Sequence, residues 1–301
     1  MTHPPLVSVR CTTFNQAGMI RDCLNGILAQ QTDFPWEIVV YDDASTDGTS
    51  DIVREYAARF PDLIRAVIQP ENLWSRHDGS FEKATLSGLN GKYIAFCEGD
   101  DFWTDPLKLQ KQVRLLEKHP KALLCHTGFQ TVDLHGVPIH RPDYDRMMRR
   151  SRSGDIFPQL MYGNYIITAT VMLHASVLQD SLFRTAPEIL DYTYFLAASA
   201  RGKAIYIPDI TASYRKNPQG LTSIAADDVN RGLNQIARFF SEQYLKGAIR
   251  ARHGWKDYTI CKSVLRHAAC AGENMENLLK QSVRLRLIYH LKFRNGKFLE
   301  K

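Results

Sequence analysis

Four short apolar runs in the first hundred residues each end in a polar segment, and helix-like patterns separate them. This alternation constrains the fold more than any other feature, because strands and helices in turn build βαβ units around a mostly parallel sheet. The apolar runs cover residues 6–10, 37–41, 63–68 and 93–97. Apolar residues at helical spacing follow the first two runs, and a third helix is predicted before the fourth run.

Polar residues stand where these strands should end, which is where open α/β sheets bind their ligands. The clusters are Thr12, Thr13 and Asn15 after the first run, Asp42 and Asp43 after the second, and residues 98–101 after the fourth. One acidic pair after a strand is often only a cap or a turn, but three clusters at one edge predict a ligand site. Glycine-rich phosphate loops are missing after the first run, and carboxylates repel a phosphorylated ligand unless a divalent cation lies between them.

Composition and charge exclude several classes of protein. The 301 residues are 44% hydrophobic and 23% charged, which is typical of a globular chain. The net charge of +6 is uneven, since residues 223–301 carry 15 basic and 7 acidic side chains and the rest carries 23 and 25. No uniformly basic face for nucleic acid is expected. The six cysteines occur singly, which predicts buried thiols rather than a zinc site.

The location expected from the sequence is the cytoplasm. The first residues do not have the pattern of a secretory signal, and polar residues interrupt the longest stretch without acids, Lys or Arg, residues 156–179. Near the end, residues 278–297 alternate apolar with basic side chains. This pattern predicts a helix that lies on anionic lipid, as a peripheral membrane contact, or one that packs with a solvated basic side.

The segments around the polar clusters resemble the family 2 glycosyltransferases, which have the nucleotide-diphospho-sugar transferase (GT-A) fold. The matching residues, in the family's order and spacing, are 7–16, 27–30, 37–49, 71–72 and 91–103. A fainter similarity to polysaccharide-assembling members continues through residues 104–113, 163–168, 191–192 and 214–215.

The resemblance implies an α/β GT-A domain with a mostly parallel central sheet flanked by helices. The implied divisions are residues 1–222 for this domain, with a nucleotide-binding half over 1–105 and an acceptor half over 106–222, and a basic, helical extension over 223–301.

The resemblance also implies roles in binding the nucleotide. Asp43, with Asp42 beside it, would accept the imide N–H of uracil, because that imide is a hydrogen-bond donor between two carbonyls. The residues that would line the base and the ribose are Thr12, Thr13 and Asn15.

The family's Asp-x-Asp metal motif is replaced here by Glu98-Gly99-Asp100. By this resemblance Asp100 is the expected ligand of Mn²⁺ or Mg²⁺, and Glu98 would reach the ribose or a metal-bound water. Gly99 would let the backbone approach the diphosphate closely. Asp101 is expected either to cap the next helix or to contact the acceptor, and Trp103 is a further candidate contact for the acceptor or a phosphate.

In the second half, Asp191 resembles the position where inverting members keep their general base. A helix cap is the alternative, with Glu188 as the reserve base. Arg215 is another candidate acceptor or phosphate contact, and Asn217 follows where many members place a metal-binding His. Residues 141–154 are predicted as a mobile basic loop that either holds a phosphorylated, lipid-linked acceptor or is only solvated.

The leading hypothesis is an inverting, metal-dependent glycosyltransferase that moves a sugar from a nucleotide diphosphate, UDP by preference, to a hydroxyl of a glycan or lipid-linked acceptor in surface polysaccharide assembly. A nucleotidyltransferase that makes nucleotide sugars is one alternative, although the glycine-rich, Arg-containing loop that it uses is absent after the first run. An inactive nucleotide- or glycan-binding module is another, and Asp191 separates it from an enzyme because such a module needs no base.

Overall fold

The computed structural model describes residues 4–187, 190–220, 226–249 and 260–265, of which 226–228 are described by their backbone alone. A single sheet organises these residues. Its strands are β1 (Val7–Thr13), β2 (Trp36–Asp42), β3 (Ile64–Ile68), β4 (Tyr93–Phe96), β5 (Phe102–Trp103), β6 (Ala122–Val132), β7 (Met172–His174) and β8 (Lys203–Arg215).

Helices cover both faces of this sheet. They are α1 (Ile20–Leu28), α2 (Thr49–Arg59), α3 (Ser80–Leu86), α4 (Lys108–Lys118), α5 (Pro142–Arg150), α6 (Phe157–Tyr162), α7 (Ser181–Arg184), α8 (Asp191–Arg201) and α9 (Ala226–Leu245). Three short 3₁₀ turns occupy Trp74–Arg76, Thr168–Thr170 and Ala175–Gln179.

The strand order is β3-β2-β1-β4-β7-β6-β8-β5. Strands β1 to β4 are parallel to one another, and β7 is antiparallel to both β4 and β6, so β6 and β8 run in the same direction as the first four. Within the described chain, six of the eight strands therefore share one direction and the sheet is mixed rather than purely parallel. The predicted α/β class is confirmed, and the carboxyl ends of β1, β2, β4, β6 and β8 lie at one edge.

Strand β1 is longer than the sequence predicts. The apolar run ends at Arg10, but β1 continues to Thr13 because it pairs in register with β2, where Thr13 lies opposite Asp42. Side chains alternate along β1, so that Val9 faces one core while Arg10 faces the other. The first two polar clusters therefore begin inside paired strands, which fixes their backbone.

The cysteines inside the described ranges are free and buried, as predicted. Three of them form a chain at the end of the sheet, with Sγ–Sγ distances of 3.7 Å from Cys11 to Cys23 and 3.6 Å from Cys23 to Cys97. Burial raises the pKa of Cys97 to about 11, so this thiol stays protonated at neutral pH. Cys270 lies outside the described residues.

The prediction of a loop over residues 141–154 is wrong, because α5 occupies Pro142–Arg150. Its sequence suits a helix at both ends. Pro142 stands at the start, Asp143 in the first turn, and Arg149 and Arg150 in the last turn, which matches the charges to the helix dipole. Tyr144 holds the helix to the sheet, with its ring 5.9 Å from that of Phe129.

Helix α9, the described beginning of the predicted extension, packs against the preceding domain. Ile236 and Phe240 are fully buried in the same hydrophobic cluster as α6 and α8, and the rings of Phe240 and Phe157 lie 6.4 Å apart. Residues 226–245 thus share a core with the sheet. The basic pattern over 278–297 lies outside the described residues. Among the helices that are described, none is long and apolar enough to cross a membrane.

Candidate functional site

Asp42, at the end of β2, forms hydrogen bonds with neighbouring residues of the protein. The side chain is fully buried, and it accepts hydrogen bonds from the Ser45 backbone N–H at 3.3 Å and from the hydroxyls of Ser45 and Ser50. Asn15 joins the same loop, since its side-chain oxygen accepts from the N–H of Thr46 at 2.8 Å. These contacts tie the loops after β1 and β2 together.

Asp43 holds a different segment of chain. Its two carboxylate oxygens accept from the backbone N–H groups of Leu73 at 2.8 Å and Trp74 at 3.0 Å, and only 2% of the residue is exposed. The carboxylate thereby anchors the short turn Trp74–Arg76 above the strand ends. Each oxygen keeps a second lone pair, so a base N–H can be accepted there only if this segment shares the carboxylate.

Gly99 lies against the end of β1. Its N–H donates to the carbonyl of Thr12 at 2.8 Å, and a Cβ at this position would lie 2.7 Å from the hydroxyl of Thr13 and 2.5 Å from the side-chain oxygen of Gln16. Close packing against β1 therefore requires glycine here. This reason differs from the approach to a diphosphate that the resemblance implied.

Glu98 and Asp100 are half-buried and have few hydrogen-bond donors. The pKa of Glu98 is raised to about 7, chiefly by burial; the charge of Arg10 opposes this shift, and the charges of Asp100 and Asp191 add to it. Burial also raises the pKa of Asp100, whose described side-chain partner is the amide of Asn217 at 3.4 Å. These carboxylates repel one another in a poorly hydrated site, which a bound cation would relieve.

Asp101 connects the motif to the end of β8. It is 3% exposed and accepts from the backbone N–H of Arg215 at 2.8 Å, while burial raises its pKa well above the usual range. The alternative role as a helix cap is not what the structure shows, because α4 begins only at Lys108 and Asp105 accepts from the N–H of Leu107. Asp101 is a buried link rather than an exposed acceptor contact.

Arg215 has guanidinium N–H donors that are not used by the described protein. One terminal nitrogen donates to Asp22 at 2.7 Å, and the guanidinium lies 5.2 Å from the centre of the Phe102 ring. Nε and Nη1 are buried without a partner in the described structure. Buried donors are seldom left unpaired, so their position near Asp100 suits an anionic ligand.

Trp103 lies in the core. It is 3% exposed, its indole N–H donates to the carbonyl of Ala169 at 2.9 Å, and the buried ammonium of Lys108 lies 4.4 Å from its ring. In this arrangement Trp103 supports the chain after the motif and has no polar atom left for an acceptor or a phosphate.

Asp191, which is distant in sequence, lies near enough to the motif for its charge to act on Glu98. It is the first residue of α8, and its carboxylate accepts from the hydroxyl of Thr168 at 2.8 Å and from the N–H of Tyr192 at 2.6 Å. Burial raises the pKa of Asp191, and its charge in turn raises the pKa of Glu98. The structure thus brings Asp191 to the motif across 93 positions of sequence, whereas Glu188 lies outside the described residues.

Arg10 is a site residue that the sequence analysis missed. It projects from the middle of β1 with 7% exposure, donates to the hydroxyl of Thr85 at 2.7 Å and lies 5.8 Å from the centre of the Phe96 ring, while its Nε is buried without a partner among the described atoms. Its charge lowers the pKa of Glu98. The available signal was a single Arg within an apolar strand.

The carboxylate oxygens at this site suit a hard divalent cation, for which the protein would supply only some of the ligands. Among the residues that the structure describes, no three His, Cys, Asp or Glu side chains converge as a complete metal site. Mg²⁺ is typically bound by one or two carboxylates together with phosphates and water, and Mn²⁺ also prefers oxygen ligands. Asp100 with an adjacent carboxylate and a diphosphate would complete such a set.

A family model described as "Glycosyl transferase family 2" matches residues 8–177, which include the first-half clusters and the core between them. The chain belongs to glycosyltransferase family 2.

Relatives and solved structures agree with this family. The uncharacterized protein Rv1520 of Mycobacterium tuberculosis is 35% identical over 223 residues, which are 74% of this chain and 62% of that protein. EpsE of Bacillus subtilis, named as a glycosyltransferase, is 31% identical over 62% of this chain and 60% of its own length. The chain thus spans about three fifths of the length of these two relatives.

Two solved structures share the fold with the family 2 chain at low sequence identity. TarS of S. aureus in complex with UDP-GlcNAc has a TM-score of 0.64 at 19% identity and covers 93% of this chain and 76% of its own. The mannosyltransferase PcManGT of Pyrobaculum calidifontis, in complex with GDP-Man and Mn²⁺, has a TM-score of 0.54 at 20% identity, over 95% of this chain and 81% of its own. Both show the GT-A-like fold.

Proposed function

We propose that this protein is an inverting, metal-dependent glycosyltransferase that moves a sugar from a nucleotide diphosphate, preferably UDP, to a hydroxyl of a glycan or lipid-linked acceptor in surface polysaccharide assembly. The observation that carries the proposal is that Asp191, at the start of α8, lies close enough to Glu98 for its charge to raise the pKa of Glu98, while burial raises the pKa values of Glu98, Asp100 and Asp191. Perturbed carboxylates gathered in this way are typical of catalytic sites.

The donor nucleotide is assigned to the edge formed by β1, β2 and β4. Thr12, Thr13 and Asn15 border it, and Asp43 supplies the carboxylate for a base N–H. The complex of TarS with UDP-GlcNAc supports uracil, whereas the complex of PcManGT with GDP-Man makes guanine the competing base, because guanine also presents N–H donors. Arg215 is assigned to the diphosphate on account of its two unpartnered donors.

Asp100 would hold Mn²⁺ or Mg²⁺, with Glu98 beside it. A divalent cation supplies Lewis-acid stabilisation of the negative charge that develops on the departing diphosphate. Glu98 and Asp100 have few hydrogen-bond donors, so their carboxylates are available to bind such a cation. The charge of Arg10 lowers the pKa of Glu98 and so favours its ionised form.

Asp191 is assigned the role of general base. Inversion requires the acceptor hydroxyl to attack from the face opposite the diphosphate, so the base must stand across the cleft from Asp100. The hydroxyl of Thr168 and the N–H of Tyr192 orient the Asp191 carboxylate. Its raised pKa makes it a stronger proton acceptor than an ordinary aspartate, which suits proton transfer near neutral pH.

The test is release of the nucleotide diphosphate from a panel of UDP- and GDP-sugars with Mn²⁺, with Mg²⁺ and in excess EDTA. We expect turnover only with a divalent cation, and we expect Asp100→Asn to lose at least about 10²-fold, since Lewis-acid stabilisation is worth several kcal/mol. Asp62→Asn, at an exposed surface aspartate, is the matched control. Full activity of Asp100→Asn in EDTA would refute metal dependence, and a product with retained anomeric configuration by NMR would refute inversion.

We also infer that the basic segment over residues 278–297 contributes a peripheral membrane contact. The support is the sequence pattern alone, in which basic side chains alternate with apolar ones.

A further inference from the structure

The turn after β6 exposes two apolar side chains in an ordered frame. Asp133 accepts from the N–H groups of His135 and Val137, both at 2.9 Å, and its own N–H donates to the carbonyl of Val137 at 2.9 Å. Leu134 and Val137 are nevertheless 45% and 55% exposed, which makes them two of the most exposed large hydrophobic residues described. Because these hydrogen bonds fix the conformation of the turn, the exposure of Leu134 and Val137 belongs to an ordered surface.

Helix α5 follows this turn and carries three arginines against two acids. Its two acids are engaged at its beginning, Asp143 with Arg141 at 3.1 Å and Asp145 with the ring of His140 at 3.6 Å. Arg146 and Arg149 are exposed, and neither forms an ion pair in the described parts of the chain, since Asp143 and Asp145, one turn before them, pair with Arg141 and His140. Positions i and i+3 lie on one side of a helix, so α5 presents a pair of free guanidinium groups.

Both features are attached to the candidate site. Strands β6 and β8 end at the same edge as the motif, and a Cβ at Gly136 would lie 3.8 Å from the Phe102 ring and 3.9 Å from the Arg215 guanidinium. On α5, the hydroxyl of Tyr144 accepts from the ammonium of Lys216 at 3.1 Å. The turn and the helix therefore stand beside the wall of the site that Arg215 forms.

We propose that the turn over residues 133–139 and helix α5 together form a docking surface for an anionic phospholipid bilayer. Leu134 and Val137 would enter the boundary between headgroups and acyl chains, and Arg146 and Arg149 would bind headgroup phosphates. A soluble anion would use the arginines but would gain nothing from two exposed apolar side chains. The combination therefore favours a lipid surface over free phosphate.

Docking by this surface would hold the candidate site at the membrane plane, where a lipid-linked acceptor would meet Asp191. The benefit for an acceptor rests on the proposed function. The binding does not, since vesicle association requires neither donor nor turnover.

The experiment is flotation of the full chain with vesicles of phosphatidylcholine containing about 30 mol% phosphatidylglycerol, against vesicles of phosphatidylcholine alone. One basic residue near an anionic surface changes the partition coefficient about fivefold. The double variant Arg146→Glu/Arg149→Glu should therefore bind the anionic vesicles at least about 30-fold more weakly. Leu134→Ser/Val137→Ser should also weaken binding, with wild-type salt dependence.

Matched controls come from other surfaces of the same chain. Arg114→Glu/Lys118→Glu reverses two exposed charges on α4, and Ile210→Ser replaces a 49% exposed residue on β8. Both should float as the wild type does. Calorimetric UDP affinity, or the melting temperature of each variant if UDP is not the donor, checks that the variants are folded.

Three outcomes would overturn the proposal. The first is wild-type flotation of Arg146→Glu/Arg149→Glu. The second is loss of flotation only when the tail is changed, as in Arg284→Glu/Arg286→Glu. The third is release by inorganic phosphate at constant ionic strength together with unchanged flotation of Leu134→Ser/Val137→Ser, which would identify a site for a soluble phosphate.

Discussion

The two acidic clusters at the edge of the sheet are alike in sequence and opposite in environment. Asp42 and Asp43, after β2, accept hydrogen bonds from serine hydroxyls and from the backbone of two loops. For Glu98 and Asp100, after β4, the described structure shows a single side-chain hydrogen bond, which Asn217 donates to Asp100 over 3.4 Å. Burial raises the pKa of both carboxylates.

The contrast separates a structural use of carboxylates from a ligand-binding one. A carboxylate surrounded by donors stabilises the fold that supplies them, whereas a buried carboxylate without donors is costly unless a cation or a proton joins it. We infer that the carboxylates after β2 stabilise the loops at this edge of the sheet. The carboxylates after β4 have few hydrogen-bond donors, which leaves them available to a ligand. The following predictions test this contrast.

The largest expected effect is on turnover by Asp191→Asn, because Asp191 is the proposed base and its charge reaches Glu98 although its own carboxylate has two donors. General-base catalysis typically contributes about 10²- to 10⁴-fold, so turnover should fall by that factor while donor affinity stays the same. Thr168→Val keeps the carboxylate and removes its hydroxyl donor, and it should lose less. Wild-type turnover in Asp191→Asn would refute the assignment of Asp191 as the general base.

The next effect is on stability. Asp42→Ala should lower the free energy of unfolding by at least about 2 kcal/mol, because it leaves the N–H of Ser45 and two hydroxyls without their acceptor. Asp100→Ala is the matched deletion in the other cluster, and without metal it should be neutral or stabilising. Denaturant unfolding measures both. Equal destabilisation by the two variants would abolish the distinction between the clusters.

A smaller effect distinguishes the two uses that Asp43 could serve. Asp43→Ala should weaken UDP binding by about 1–3 kcal/mol, the cost of an unpaired N–H in a closed pocket. Calorimetry with pyrophosphate and Mn²⁺ is the comparison. If only UDP affinity falls, Asp43 reads the base; a parallel loss of pyrophosphate affinity would mean that it serves only to hold the turn Trp74–Arg76.

The smallest effect is a pH dependence of stability in metal-free protein. The folded state raises the pKa of Glu98 to about 7 from its ordinary value of 4.5, so between these values Glu98 binds a proton that the unfolded chain releases. Stability should therefore decline as pH rises through this window, and the decline should be smaller in Glu98→Gln. Thermal unfolding at pH 5 and pH 8 measures it. Saturating Mn²⁺ should oppose the decline in the wild type, and identical pH profiles for the two proteins would contradict a buried, under-bonded Glu98.

Several features of the molecule could be predicted because they depend on residues close together in sequence. The alternation of apolar runs and helical patterns gave the α/β class, and the polar ends of the runs indicated the edge that carries the site. Helix α5 was mistaken for a loop because its many charges obscured Tyr144 and Met147, the residues that pack inward. Arg10 was missed because burial of a charge depends on partners that a strand pattern does not include.

The sequence by itself determined the order of the strands along the chain, the position of the acidic clusters at their ends and the family. The tertiary structure alone decided what each carboxylate contacts. Asp43 meets Leu73, 30 residues away, and Asp101 meets Arg215, 114 residues away. Periodicity fixes the face on which a side chain lies, but the pKa and the chemical role of a carboxylate depend on donors and burial that distant segments supply when the chain folds.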